Sequence, residues 1–143
     1  MFFKVHILAH INHASTVWSS ASEVHIKKLN SLHRRAAKLI LPDRSLSTLD
    51  ILPLREQFVY NTAVPLFKVH MGLAPQYVCD FLNRAPARYG SNKYVLPRTR
   101  VHLYKTSFTF SESSVWNSLP PKMKTHKSVS GFEINLHKFL FNK

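Results

Sequence analysis

The sequence predicts a mainly α-helical protein, an irregular small helical bundle with a short β-hairpin in a basic arm. Apolar residues recur at helical spacing along most of the 143-residue chain. Prolines and glycines divide this pattern into short segments, and one basic stretch alternates or clusters like strands. The chain is long enough to bury a core, and 45% of its residues are hydrophobic. This length predicts one domain, or a piece of one.

We assign residues 1–83 to a helical body. Residues 2–18 are apolar enough for a buried helix or a helix–strand element, and they begin without a cap, as expected of a cut end. Ser22 then caps a helix over residues 23–41, the clearest amphipathic segment of the chain. Its apolar residues share one arc, and they are Ile26, Leu29, Leu32, Ala36, Leu39 and Ile40.

Three further helices complete this body. Residues 45–52 resemble a short capped helix, and residues 54–71 have helical spacing that Pro65 should kink or split. Gly72 is a suitable C-terminal stop for the second of them. Residues 74–82 predict one more short helix.

A change of composition marks residues 84–110, a basic aromatic arm without an acidic residue. In this arm residues 95–96 and 107–110 could pair as a hairpin. Residues 111–143 form a Trp-anchored turn and a C-terminal helix.

Two tryptophans, Trp18 and Trp116, are predicted structural anchors. Serines ahead of Trp116 can cap a helix of at most two turns, and two prolines then end it. A helix of two turns is not stable by itself. The Trp116 ring must therefore pack against a larger body.

A strong positive charge dominates the composition. Lys and Arg number 20 against 7 Asp and Glu, for a formal net charge of +13, which favours an anionic partner such as the RNA or DNA phosphate backbone. Cations bind phosphates, and the rings Tyr89, Tyr94 and Tyr104 could stack on unpaired bases. The candidate nucleic-acid-binding residues are Lys27, Lys28, Arg34, Arg35, Lys38, Arg84, Arg88, Lys93, Arg98, Arg100 and Lys105.

The sequence gives little support for a metal site or for an enzyme. His6, His10 and His13 have the spacing of one helix face, but no acid precedes Glu23, so a metal-dependent hydrolase is far less favoured than partly buried histidines. The acids are scattered, and no nucleophile motif or glycine-rich phosphate loop occurs, so we predict no enzyme, no cofactor, no metal and no small-molecule substrate.

The single cysteine, Cys79, excludes an internal disulfide. Without a signal peptide or membrane span, we expect an intracellular protein, nuclear or cytoplasmic.

Six motifs occur in a fixed order along the chain. They are residues 15–18 (STVW), 29–36 (LNSLHRRA), 49–53 (LDILP), 68–77 (KVHMGLAPQY), 96–100 (LPRTR) and 107–120 (SFTFSESSVWNSLP). In this order they resemble the C-terminal, post-polymerase or thumb-side segment of reverse transcriptase proteins from non-LTR retrotransposons of the LINE type, jockey-like elements among them.

The resemblance implies a helical segment of a transposable-element protein that contacts template RNA or target DNA. In that family of RNA-directed DNA polymerases the catalytic aspartates lie upstream of the matching region, and this chain lacks them. We therefore expect a non-catalytic fragment with residual, sequence-tolerant nucleic-acid binding. The alternative is an inert retroelement remnant without a partner, whose exposed N-terminal apolar face could drive self-association.

Overall fold

The computed structural model describes residues 3–19, 21–40, 51–86, 88, 92–105 and 107–142. Over these ranges the protein is mainly helical, which confirms the predicted fold class. The helices are α1 (Ala9–Asn12), α2 (Ser15–Trp18), α3 (Glu23–Ile40), α4 (Leu54–His70), α5 (Gln76–Asp80), α6 (His102–Lys105), α7 (Phe108–Ser118), α8 (Pro121–Lys124) and α9 (Val129–Phe141). A wider π-type turn, Phe3–Leu8, precedes α1. Within the described ranges, no helix combines the length and the hydropathy that a membrane span requires.

Contacts divide the chain into two compact units. The first unit is residues 1–61 with 139–143, and the second unit is residues 62–138. The boundary after residue 61 falls inside α4. The division into 1–83, 84–110 and 111–143 was drawn from composition and stays a prediction.

Helix α3 packs its apolar arc into two small cores of the first unit. One core joins Ile26 to Leu54 and Phe58 of α4, and the other joins Ala37 to Ile51. Partly buried side chains complete these cores, namely Ile7, Leu8, Ile11, Leu29 and Ala36. The arc is not buried throughout, because Leu32 and Leu39 are 60% and 85% exposed.

Helix α4 runs through Pro65 without a break, so the split that the sequence allowed there does not occur, and the kink stays a prediction. Proline removes one backbone hydrogen bond, and Pro65 faces solvent. Its neighbours Ala63, Leu66 and Phe67 are all at most 2% exposed. Their burial outweighs one lost hydrogen bond, since packing supplies most helix stability in proteins. The predicted helix over 45–52 lies mainly outside the described residues, and Ile51 and Leu52 are not helical.

The second unit is centred on stacked rings. Phe67 of α4 and Phe132 of α9 stack with centroids 4.2 Å apart, and Trp116 lies 6.5 and 6.4 Å from them. All three are fully buried. Leu136, one turn after Phe132 on α9, is buried too.

Helix α7 corrects two expectations about the arm. It begins at Phe108 and has 11 residues, so residues 107–110 start a helix and are not a strand, and the helix is longer than two turns. Ser107 stands at its N-terminal cap position, whereas Ser111 and Ser113 lie inside it. Burial of Glu112 and Ser113, at 3% and 0% exposure, shows that tertiary packing extends the helix beyond its local signals.

Gly72 ends α4 as predicted, in a complete Schellman motif. Its φ of 72° is left-handed. The Leu73 amide donates to the Lys68 carbonyl at 2.9 Å, and the Gly72 amide donates to the Val69 carbonyl at 3.1 Å. A β-carbon at Gly72 would meet no atom within 4 Å, so only the backbone conformation demands glycine.

We expect Gly72→Ala to lower the free energy of unfolding by about 1 kcal/mol, because an L-residue is strained in the left-handed region. Ala14→Gly is the matched control, since Ala14 has a φ of 51° and should gain up to about 1 kcal/mol from the same relief. Urea unfolding of both variants measures the two effects. Changes of the same sign would contradict this interpretation.

Candidate nucleic-acid interface

The first candidate surface, which we call the α3 stripe, follows the outer face of that helix. Its residues recur at spacings of three and four, which align them on one side of a helix. They line a groove of about 350 Å³ and are Lys27, Asn30, Ser31, Arg34, Arg35 and Lys38. The four cations are exposed, and Lys28, predicted with them, is exposed but does not line the groove.

One acid lies beside the α3 stripe, one helical turn before Lys27. The single acid of this helix, Glu23, lies in its first turn. There it forms an ion pair and hydrogen bond with Arg55 of α4. This hydrogen bond and the Arg55 charge lower the pKa of the Glu23 carboxyl, and the charge of Lys27, the first cation of the stripe, lowers it further.

The second candidate surface lies in the arm, where two stretches pair in an antiparallel manner. Arg84 and Tyr94 form an isolated β-bridge. The Ala85 amide donates to the Lys93 carbonyl and the Val95 amide donates to the Asn83 carbonyl, both at 2.8 Å. This pairing replaces the predicted hairpin between 95–96 and 107–110. It places Arg84 opposite Tyr94 and Ala85 opposite Lys93.

The Trp-Asn pair of α7 holds this part of the arm. The indole Nε1 of Trp116 donates to the Asn92 carbonyl at 3.0 Å. The Asn117 side chain accepts from the Tyr94 amide at 3.0 Å and donates to the Tyr94 carbonyl at 2.8 Å. Asn117 therefore occupies the hydrogen-bonding groups of Tyr94 as a neighbouring strand would.

These contacts form a pocket of about 200 Å³, which we call the Trp116 pocket. It is lined by His70, Arg84, Ala85, Asn92, Lys93, Tyr94 and Trp116, with no acid among them. The Arg84 guanidinium also donates to the His70 carbonyl at 3.0 Å, which holds this cation at the rim.

Lys124 adds a buried cation beneath the same ring. Only 4% of the residue is exposed, and its Nζ lies 5.7 Å from the Trp116 ring centroid and 3.5 Å from the Asn117 carbonyl oxygen. Burial, then the Lys93 charge, lowers the pKa of Lys124. Burial lowers the pKa of His70 as well, helped by Arg84 and Lys124. Burial is the larger cause of both shifts, and the neighbouring cations add to it.

His70 and Lys124 were not predicted as members of this site. Lys124 lies four residues after Pro120, and His70 lies in the helix predicted over residues 54–71. Nothing in their local sequence distinguishes them, because α4 and α8 bring them to Trp116 through tertiary contacts alone.

The remaining arm cations do not join either surface. Arg88, Arg98, Arg100 and Lys105 are exposed and line neither the α3 stripe nor the Trp116 pocket. Of the rings predicted to stack on bases, Tyr94 is only 3% exposed and cannot present its face to a base, which corrects that expectation. Tyr104 is 45% exposed, and Tyr89 lies outside the described residues.

The two predicted anchors differ sharply. Trp116 is fully buried with a ring contact to His70 at 5.2 Å, whereas Trp18 at the end of α2 is 52% exposed. Trp18 therefore stays half in solvent, unlike the buried position expected of an anchor.

The N-terminal histidines lie on an apolar surface. His6 belongs to the π-type turn and His10 to α1, and both line an apolar groove of about 570 Å³ in the first unit. In the described parts of the chain, no three His, Cys, Asp or Glu side chains converge as metal ligands would.

Comparisons with known proteins identify no similar protein. No family model, no curated protein and no solved structure matches this chain. Its function is therefore argued from its own residues and from the resemblance of its motifs.

Proposed function

We propose that this protein is a non-catalytic C-terminal segment of a LINE-type retrotransposon reverse transcriptase that binds RNA or DNA single strands inside the cell with little sequence preference. The family origin rests on the six ordered motifs. The binding rests on the α3 stripe, four exposed cations lining one groove with no acid among its lining residues.

The like charges of the α3 stripe repel one another when no anion is bound, and this repulsion lowers the stability of the helix. Relief of the repulsion therefore favours phosphate binding. Arg34 and Lys38 are four residues apart, and like charges at this spacing destabilise a helix by about 0.2–0.5 kcal/mol. Bound phosphates would neutralise this repulsion and release condensed counterions. Asn30 and Ser31 add hydrogen-bonding groups on the same groove.

Salt dependence of strand binding tests this function. If about six phosphate contacts form, log K should fall with log salt at a slope of roughly −4, from about −0.7 for each contact with a single strand. Fluorescence anisotropy of a labelled, mixed-sequence single strand at several salt concentrations measures the slope. A flat response, or no binding at low salt, would reject the proposal.

A matched pair of triple variants separates the α3 stripe from net charge. The stripe variant is Arg34→Gln with Arg35→Gln and Lys38→Gln, and it should make the slope shallower by about 2. The control removes three lysines from outside both surfaces, through Lys122→Gln, Lys127→Gln and Lys138→Gln. The control should keep a slope of roughly −4. Equal losses in both variants would mean that net charge alone binds the strand.

A second candidate, an inert remnant that only self-associates, is favoured by the apolar groove of the first unit. Leu32 and Leu39 line this groove and are largely exposed, and Ile7 and Ile11 line it with them. Contiguous exposed apolar surface promotes association between copies. The same salt titration separates the candidates, because an inert remnant gives no salt-dependent strand binding.

A further inference from the structure

We propose that the apolar groove of the first unit receives unpaired bases of the same strand whose phosphates bind the α3 stripe. The inference rests on the proposed function and deepens it, because it names what the bases of the strand contact. The groove has a volume of about 570 Å³, and both α3 and the N-terminal segment ahead of it supply its lining.

One side chain joins the two surfaces. Arg35 lines the groove of the α3 stripe and also lines the apolar groove. Leu32 lies three residues before Arg35 and Leu39 lies four residues after it, and residues at these spacings are neighbours on the surface of a helix. Only the sugar separates a phosphate from its base in a nucleotide. A phosphate bound by Arg35 would therefore leave its base beside these leucines.

The floor of the groove is apolar and accessible. Leu32 and Leu39 are 60% and 85% exposed, and the partly buried Ile7 and Ile11 line the groove with them. The flat faces of unpaired bases are poorly hydrated as well, so contact between bases and leucines removes both surfaces from water. Bases over Leu32 and Leu39 would cover the part of the α3 arc that the fold itself leaves exposed.

Three planar side chains accompany this floor. His6, His10 and Arg35 are exposed and line the groove. Imidazole rings and guanidinium planes are among the groups on which proteins stack unpaired bases. The lining contains no carboxylate that would repel the phosphates of a strand. An apolar floor with planar side chains around it suits a flat heteroaromatic ligand.

Size and charge favour a strand over a second copy of the chain. Sites for small molecules and cofactors typically have volumes of about 300–1,000 Å³, so this groove has room for a base with its sugar. Each copy of the chain has a formal net charge of +13, and repulsion of this kind keeps proteins monomeric. A strand instead brings negative charge to the cations of the same helix.

A strand without bases provides the test. A short dT strand and an abasic strand of equal length carry the same phosphates, and fluorescence anisotropy measures the affinity of the full chain for each of them. We expect the dT strand to bind about tenfold more tightly at equal salt. This value lies in the lower part of the range of roughly five- to hundredfold that stacking of one base contributes. The salt slopes of the two strands should be equal, because their phosphates are the same.

Two double variants locate the effect. Leu32→Gln with Leu39→Gln removes the apolar surface and keeps the helix propensity. It should weaken dT binding by about tenfold, leave abasic binding within about twofold and keep a slope of roughly −4. The control, Val24→Gln with Ile134→Gln, changes two side chains that are 60% and 56% exposed and line neither groove. The control should leave both affinities within about twofold.

The thermal midpoint checks that each variant folds, and sedimentation velocity reports its oligomeric state. We expect small changes in midpoint, because all four substituted side chains are largely exposed. We expect a monomer in every case. The ratio of dT to abasic affinity in the parent protein needs no variant, so the test remains valid even if a variant proves unstable.

Different failures identify different errors. If the parent binds the abasic strand as tightly as the dT strand, or if the leucine variant keeps the parent's ratio, the groove takes no base and the inference is wrong. If the parent is a dimer that the leucine variant dissociates, a second copy occupies the groove and the inference is wrong as well. In these cases a salt slope near −4 leaves the proposed function standing. If neither strand shows salt-dependent binding, the proposed function fails and the inference fails with it.

Discussion

Trp116→Ala is expected to destabilise the protein by about 3–5 kcal/mol, the range for truncating a fully buried aromatic residue. The ring is fully buried and contacts Phe67, Phe132 and Tyr94. The substitution also deletes the Nε1 bond to Asn92. Since small proteins have total stabilities of about 5–15 kcal/mol, the variant should be close to unfolding at ordinary temperature.

Chemical denaturation followed by circular dichroism measures this loss. Trp18→Ala is the matched control, because it deletes the same side chain at a position that is 52% exposed. We expect the control to cost less than about 1 kcal/mol, since little of its surface is withdrawn from water. Equal costs at the two positions would show that burial does not distinguish these tryptophans.

Glu112→Gln is expected to stabilise the protein by about 2–3 kcal/mol at pH 8 and to have little effect at pH 4. Glu112 is 3% exposed in α7, and burial raises the pKa of its carboxyl from the ordinary value of 4.5 to about 7. The folded state therefore binds this proton more tightly than the unfolded state does. The stability linked to the protonated carboxyl is complete below the unfolded pKa of 4.5 and is lost as the pH rises through about 7.

Glutamine cannot ionise, so the variant does not lose this stability as the pH rises. The size of the effect follows from the pKa difference, since each tenfold difference in proton affinity between the folded and unfolded states corresponds to about 1.4 kcal/mol. Unfolding free energies of both proteins from pH 4 to pH 8 measure the difference. Glu133→Gln on α9 makes the same change of net charge at a half-buried position and serves as the control for net charge. A difference that stays constant with pH would contradict the raised pKa of Glu112.

The stability of the parent protein also changes with pH through His33, so the Glu112 effect has to be measured as a difference between the parent and the variant. His33 is 1% exposed, and burial, then the Arg34 charge, lowers the pKa of its ring. Its contribution to stability is therefore present above the unfolded pKa of about 6.5 and is lost as the pH falls. His33 and Glu112 thus oppose each other in the parent's pH profile, and the difference between parent and variant isolates the Glu112 effect.

Helix α3 shows how much of the structure the local sequence pattern can predict. Its bounds were predicted to within one residue, because apolar and basic residues separate cleanly at a period of 3.6. Its cations are exposed as that pattern requires, and four of them line one groove. Leu32 and Leu39 show the limit of the pattern, because periodicity assigns a residue to a face but does not supply a partner for that face.

Helix α7 shows where local pattern fails. Residues 107–110 alternate like a strand, and the three serines that follow resemble helix caps. The three-turn helix Phe108–Ser118 forms nevertheless. Short segments take the conformation that buries their side chains best, and this helix buries Trp116, Glu112 and Ser113 together.

The sequence by itself determined the helical class, the large excess of positive charge, the end of α4 at Gly72 and the cationic face of α3. Each of these depends on composition or on neighbours within about one helical turn, where spacing alone specifies geometry. Only the tertiary structure decided that Arg84, Lys93, His70 and Lys124 surround the Trp116 ring. These residues are separated by up to 54 positions in the chain, and side-chain packing, which has no local periodicity, brings them together.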